Sequence, residues 1–325
     1  MICPGCGREL PEQALSCPEC RTLIYASKLE DLARQAKEAW RLGKFREERT
    51  LWAESLALLP EDTVQHHSIA ARAAELDSQL AGAEQQSHEG LKKASMGVGP
   101  ALILLLSKGK FLLLGLTKIG TLLTMFASIG VYWALYGWAL AAGVVVSIYI
   151  HEMGHVAMIR HYGFPATAPM FIPGLGALIR MRGVRLPPIP ESRIGLAGPM
   201  YGLGAAAVAL AIYYVTGVNT WGVIAHFGAW INLFNLIPVW QLDGSRGIRS
   251  LTRFERGIVL AAAGTLWLLV GNPMLLIITI VCAYRMFTRD WQQDSDRQGL
   301  IQFAGLLAAL ALIVTLSAGS AATSK

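Results

Sequence analysis

His151, Glu152 and His155 occur as His-Glu-Met-Gly-His. On a helix, positions i and i+4 share a face, so both imidazoles can grip one Zn2+. Glu152, beside the open coordination position, then has the chemistry of a general base acting on water. A zinc ion that keeps one position for water needs a third protein ligand. Asp243, 88 residues beyond His155, is the best candidate. Only three acids lie between residues 90 and 254: Glu152, Glu191 and Asp243. Glu191 falls in a proline-rich polar loop. Glu152 and Asp243 sit in or at the end of apolar runs, where a carboxylate is costly unless it is paired, solvated or bound to metal. Pro238 ends or kinks the helix ahead of Asp243, and Gly244 permits a sharp turn after it. Asn235, just before that break, can offer its amide to a peptide backbone. Asn232 is read as a packing residue, and His226 as a hydrogen-bonding residue of the bundle. The alternative without metal is an interfacial helix whose histidines face a polar crevice. It leaves Glu152 unpaired in hydrocarbon.

A second set of ligand types opens the chain. Cys3 and Cys6 form one Cys-x-x-Cys pair, and Cys17 and Cys20 another. Each pair places two thiolates on one tight turn, and two such turns can close a tetrahedral zinc site. Gly5 and Gly7 suit the backbone of a knuckle. The competing use is two disulfides, which need an oxidising compartment. No basic-apolar-small export pattern precedes the cysteines, so a small structural zinc ribbon is expected. All four ligands come from protein, so this metal is not expected to be catalytic. Cys282 lies in an apolar run and reads as an inert thiol.

The elements that must carry these residues follow from composition. Of 325 residues, 54% are hydrophobic and 15% charged, too apolar for an ordinary soluble chain. Residues 1–96 hold 12 Lys+Arg against 15 Asp+Glu, whereas residues 97–325 hold 16 against 7. Apolar runs cover 101–106, 111–129, 131–159, 194–217, 220–240, 257–270, 274–288 and 300–318. Since a helical span needs about 20 apolar residues, a polytopic bundle of six to seven membrane segments is expected. Pro273 separates two shorter runs, which suits either a tight helical hairpin or a partly re-entrant one. If the N-terminus is cytosolic, the arginines from Arg160 to Arg193, Arg246 to Arg256, and Arg285 to Arg297 all fall in inside loops. That is a strong positive-inside pattern, and it places both halves of the His/Asp set on the cytosolic side. Basic loops beside apolar spans explain the positive charge without nucleic acid.

With those residues in place, the chain resembles the site-2 protease family of intramembrane zinc metalloproteases. The resemblance rests on His-Glu-Met-Gly-His at 151–155, Gly-Leu-Ala-Gly-Pro at 195–199 and Asn-Leu-Ile-Pro-Val-Trp-Gln-Leu-Asp-Gly at 235–244, and covers roughly 100–290. It implies that His151, His155 and Asp243 bind the catalytic zinc, that Glu152 is the general base, and that Asn235 helps hold the substrate. Two positions depart from the family pattern. Ser245 stands where many members have a second Gly, and Trp240–Gln241 where many have Pro.

The expected organisation is a mainly α chain. A zinc ribbon occupies 1–26, a soluble helical hairpin 27–81, a polar linker 82–98, the membrane metalloprotease core 99–290, and a C-terminal membrane helix and tail 291–325. The 17-residue gap from Gly43 to Pro60, with Ala36 and Ala39 before it, resembles part of a tetratricopeptide repeat, although Glu48 stands where a small residue is usual. A docking module and a plain spacer both fit that segment. Residues 169–183 suit either a re-entrant hairpin that pairs with an unwound substrate or an ordinary loop.

The expected activity is hydrolysis of a peptide bond in or near the transmembrane segment of a membrane-anchored protein. Residues 1–90 are available to a cytosolic regulator. A prokaryotic cytoplasmic membrane is the expected setting. A non-catalytic adaptor and a metal transporter are the other classes. A transporter would spread polar residues over several spans, whereas here they gather at one place.

Overall fold

The computed structural model describes residues 1–94, 123–124, 126, 128–130, 133–134, 137–164, 166, 170–172, 176–178 and 186–322. The expectations for 101–122, and those parts of 169–183 that fall on 169, 173–175 and 179–183, lie outside the described residues. The chain clusters into two compact units. One is Met1–Lys92 with Tyr162–Pro165, and the other comprises Lys93–His161 and Ala166–Lys325.

The first unit opens with two turns of matching geometry, fourteen residues apart. Gly7 N–H donates to the Cys3 carbonyl at 3.0 Å, and Arg21 N–H to the Cys17 carbonyl at 2.8 Å. Both turning residues are left-handed, at φ 74° for Gly7 and 59° for Arg21. The second knuckle thus adopts the glycine-favoured conformation with an arginine. Gly5 has a different reason to be small: a Cβ there would lie 2.4 Å from Thr22 Oγ1.

Three helices follow: α1 (Ala26–Arg41), α2 (Phe45–Leu56) and α3 (Val64–Ala94). α1 buries Leu32, Ala36 and Ala39, one stripe at i, i+4 and i+7. Glu48 is also buried and takes Arg72 Nε at 2.9 Å and Trp52 Nε1 at 3.2 Å. An ion pair therefore fills the place where the repeat pattern has a small residue. α3 runs on to Ala94, across most of the segment read as a linker. Gln, Glu, Lys and Ala there propagate a helix as readily as they solvate a linker.

Among its described residues, the second unit is helical apart from one hairpin. Its elements are α4 (Trp138–His161), β1 (Met170–Ile172), β2 (Gly176–Leu178), α5 (Pro188–Thr216), α6 (Asn219–Asn235) and the short α7 (Asp243–Gly247). A 3-10 turn (Ile248–Ser250) leads to α8 (Arg253–Val270), α9 (Pro273–Arg285) and α10 (Arg297–Ala322). Among the described residues, three helices are long and apolar enough to cross a membrane: Trp138–His161, Pro188–Thr216 and Arg297–Gly319. Their partners are shorter, with α6 at 17 residues and α9 at 13. Of the two arrangements expected around Pro273, α8 and α9 form the tight hairpin. Thr252 and Glu255 make a reciprocal capping box at the start of α8, and Gly271 ends it at φ 69°. Asn272 then accepts Met274 N–H to cap α9, with Pro273 in its first turn.

The core runs through α5, α6, α8, α9 and α10, with Leu233, Leu236, Leu275, Ile278, Phe303 and Leu307 fully enclosed. The outer surface stays apolar, with Val208, Val215, Leu268, Leu269 and Ile301 all exposed. A surface of that kind suits lipid better than water. β1 and β2 pair antiparallel, Phe171 opposite Ala177.

Candidate metal centre

α4 carries the first half of the site. Its mid-section is apolar all round, so His151, Glu152 and His155 enter the protein buried. The second half depends on a broken helix. α6 stops at Asn235, three residues before Pro238. The connection then folds back through Leu242 N–H to Val239 O at 3.2 Å and Ser245 N–H to Leu242 O at 2.9 Å. Asp243 begins the next helix at the bottom of that loop and is buried.

The two halves converge. His151 Nε2 and His155 Nε2 lie 3.1 Å apart, and each is near Asp243, at 3.1 Å from Oδ2 and 3.3 Å from Oδ1. Ligand atoms about 2.0–2.1 Å from a tetrahedral ion are separated by about 3.3 Å, so the three atoms form one face of such a site. These residues can hold a metal ion.

The far side of each imidazole is anchored. His155 Nδ1 lies 2.7 Å from the Ile194 carbonyl of α5, and His151 Nδ1 lies 2.7 Å from Asn232 Oδ1 of α6. An N–H at Nδ1 donating to an oxygen leaves Nε2 as the lone-pair nitrogen, the tautomer a metal requires. Asn232 is in turn fixed by donating its Nδ2 to the Gly228 carbonyl at 2.7 Å. The packing role expected for Asn232 is thus corrected: it is the asparagine that meets this cluster. An amide in an apolar run was the signal, and only the fold shows which amide faces the histidines. Asn235 ends α6, half-buried.

Small residues on α5 make the convergence possible. A Cβ on Gly198 would sit 2.2 Å from His155 Nε2 and 2.7 Å from His151 Nε2. On Gly202 it would overlap Asn232, and on Gly195 it would come 3.0 Å from the Asp243 carbonyl. From α4, Gly154 approaches the Ala197 carbonyl, where a Cβ would be 2.4 Å away. Close helix approach through small residues is the usual packing of membrane helices. Gly244 works likewise, since its missing Cβ would collide with the Leu236 carbonyl. The expected sharp turn is instead left-handed at Trp240, φ 53°, where Ser245 Oγ donates to the Trp240 carbonyl at 2.7 Å.

The cysteine set forms separately in the first unit. Cys3 Sγ and Cys20 Sγ are 3.6 Å apart, as are Cys6 Sγ and Cys17 Sγ. Disulfide sulfurs would be about 2.05 Å apart, whereas thiolates about 2.3 Å from a tetrahedral zinc are separated by about 3.8 Å. All four sulfurs can serve one ion. Cys282 is buried in the core of the other unit.

Comparison with known proteins gives partial matches. The chain is 29% identical over 132 residues to the zinc metalloprotease MJ0392 of Methanocaldococcus jannaschii, covering 39% of this chain and 37% of that protein. It is 30% identical over 137 residues to a Mycobacterium tuberculosis protein named "Putative zinc metalloprotease Rip3", covering 38% of this chain and 34% of that one. The chain thus spans about a third of the length of the curated relatives it matches. No family model and no solved structure matches it.

Proposed function

We propose that this chain is an intramembrane zinc metalloprotease of the site-2 type. It hydrolyses a peptide bond in or near the transmembrane segment of a membrane-anchored protein. The observation that carries the reading is the convergence of His151, His155 and Asp243, with Glu152 buried beside them, between helices with an apolar exterior. The names of the two relatives support zinc and proteolysis.

Zinc held by these three residues would supply Lewis acidity toward the scissile carbonyl and a more acidic water. The remaining work falls to the protein. Glu152 takes the proton from the attacking water and delivers it to the departing amine nitrogen. Asn232 and the Ile194 carbonyl hold the imidazoles so that both Nε2 atoms face the reaction. Asn235, at the break of α6, hydrogen-bonds the substrate backbone. The substrate unwinds locally, because a helical carbonyl already has its hydrogen bond. The free edge of the β1–β2 hairpin, read as re-entrant, offers backbone groups to that unwound stretch.

In this reading the chain crosses a prokaryotic cytoplasmic membrane six to seven times, with its N-terminus and the site on the cytosolic side. The four cysteines hold a second, structural zinc. Residues 1–90 receive a cytosolic regulator.

Co-expression with a tagged single-span substrate tests the proposal. Glu152→Ala should lower cleavage by about 10²- to 10⁴-fold while the protein keeps its full zinc content. Undiminished cleavage in that variant would sink the mechanism. No cleavage of any membrane substrate by zinc-loaded wild type would favour a non-catalytic adaptor.

A further inference from the structure

Four consecutive residues near the start of α5 reach three other parts of the fold. Ser192 Oγ donates to the Gly247 carbonyl at 2.8 Å and holds the end of α7. Arg193 donates two bonds to Asp296, at 2.9 Å and 2.6 Å, just ahead of α10. The Ile194 carbonyl accepts from His155. Gly195 lies against the Asp243 segment, where a Cβ would meet Arg246 Cβ at 2.7 Å and the Asp243 carbonyl at 3.0 Å. One stretch of backbone therefore aligns both halves of the metal cluster, and Arg193 fixes that stretch by charge.

The other end of the pair is itself held. Asp296 Oδ1 also accepts Gly299 N–H at 3.0 Å, which caps α10. Asp296 N–H donates to Glu255 Oε2 at 3.3 Å, and Ser295 Oγ donates to Glu255 Oε1 at 2.6 Å. Glu255 belongs to the capping box of α8. Both charged side chains are nearly enclosed, at 8% and 4% exposure. Gly299 leaves them room, since a Cβ there would lie 2.4 Å from Asp296 Oδ2 and 2.9 Å from an Arg193 nitrogen. A forked guanidinium–carboxylate pair accepts one planar orientation, which a lysine at the same place does not impose.

We propose that Arg193 and Asp296 are a positioning pair for the metal cluster. Through them α10 sets the register of residues 192–195, and so the meeting of His155 with Asp243. A pair that served stability alone could sit anywhere in the bundle. This one is adjacent in sequence to the carbonyl that orients a histidine. The proposal rests on the zinc reading above.

The test uses zinc-loaded full-length protein in detergent micelles. Zinc transfer to a colorimetric chelator is followed for wild type, Arg193→Lys and Asp296→Asn. Circular dichroism and size exclusion establish that each variant is folded. The phase belonging to the cluster is the one absent from His155→Ala. Both variants should speed that phase at least tenfold, leave the cysteine-dependent phase unchanged, and lower kcat with KM within twofold. Folded variants that release this zinc within twofold of wild type overturn the proposal. If Asp296→Asn does not fold, Arg193→Lys, which keeps the charge and loses the fork, decides alone. Wild type that cleaves while both variants match its release rate overturns the pair and leaves the protease reading standing. Wild type that holds His155-dependent zinc yet cleaves nothing overturns the protease reading, and the release rates still judge the pair.

Discussion

Asn232 and Gly198 both shape the candidate site, in opposite ways. Asn232 supplies an oxygen to His151, and Gly198 supplies an absence beside both imidazoles. Asn232→Ala should weaken zinc binding about 10- to 100-fold, the usual loss when a partner behind a ligating histidine is removed. Asn232→Asp, which keeps an acceptor, should lose less. Competition with a chelator of known affinity measures both. Gly198→Ala should abolish zinc retention at this cluster while α5 stays helical, because the intruding methyl meets the ligand nitrogens themselves. Normal zinc content in purified Gly198→Ala would show that α5 can withdraw, and would contradict the packing argument. Spacing within one helix made His151 and His155 legible in the sequence, and the scarcity of acids pointed to Asp243. Asn232 and Gly198 were not legible as site residues. Their roles depend on which faces of three helices meet, and periodicity within one segment does not carry that.

Helix ends were more legible than helix contacts. Thr252, Gly271, Asn272 and Pro273 each act on their own backbone, and Pro273 alone marked the α8–α9 break in the sequence. What closes that hairpin is non-local. Arg256, fully enclosed, donates to the Asp290 carboxylate at 2.8 Å and to the Arg285 carbonyl at 3.0 Å. Arg285 adds a bond to the other Asp290 oxygen at 2.6 Å. Burial opposes ionisation of Asp290, but the hydrogen bonds from Arg256 and Thr288 outweigh it and hold its pKa at about 2. A carboxylate depressed in the folded state stabilises above its ordinary range and stops doing so as pH falls through the depressed value. Wild type should therefore melt above Asp290→Asn at pH 6. That difference should shrink from about pH 4 and vanish only below about pH 2, the usual value for an aspartate being about 3.9. Thermal unfolding of both proteins in detergent across that range measures the gap. A gap independent of pH would mean that shape, not charge, closes the hairpin.

At the scale of the whole molecule, two sets of residues able to hold a metal ion lie in two compact units of opposite character. The cysteines are held by short turns in a polar module, and the His/Asp set by helices whose outer surface is apolar. The continuation of α3 to Ala94 was not readable, since the same polar residues suit a helix or a linker. Each set has its own donors and its own scaffold, so their metals should come and go independently. Purified wild type should carry two zinc ions per chain, one for each set. Cys3→Ser with Cys6→Ser should remove one of them and lower the stability of the N-terminal module, because a four-thiolate site contributes directly to folding. The His155-dependent zinc should remain, with its release rate unchanged. Inductively coupled plasma measurement of zinc per chain, combined with the chelator time course, separates the two ions. Retention of both zinc ions in the cysteine variant would refute the four-cysteine site. Loss of both would show that the units depend on one another, against the independence that their separate donor sets imply.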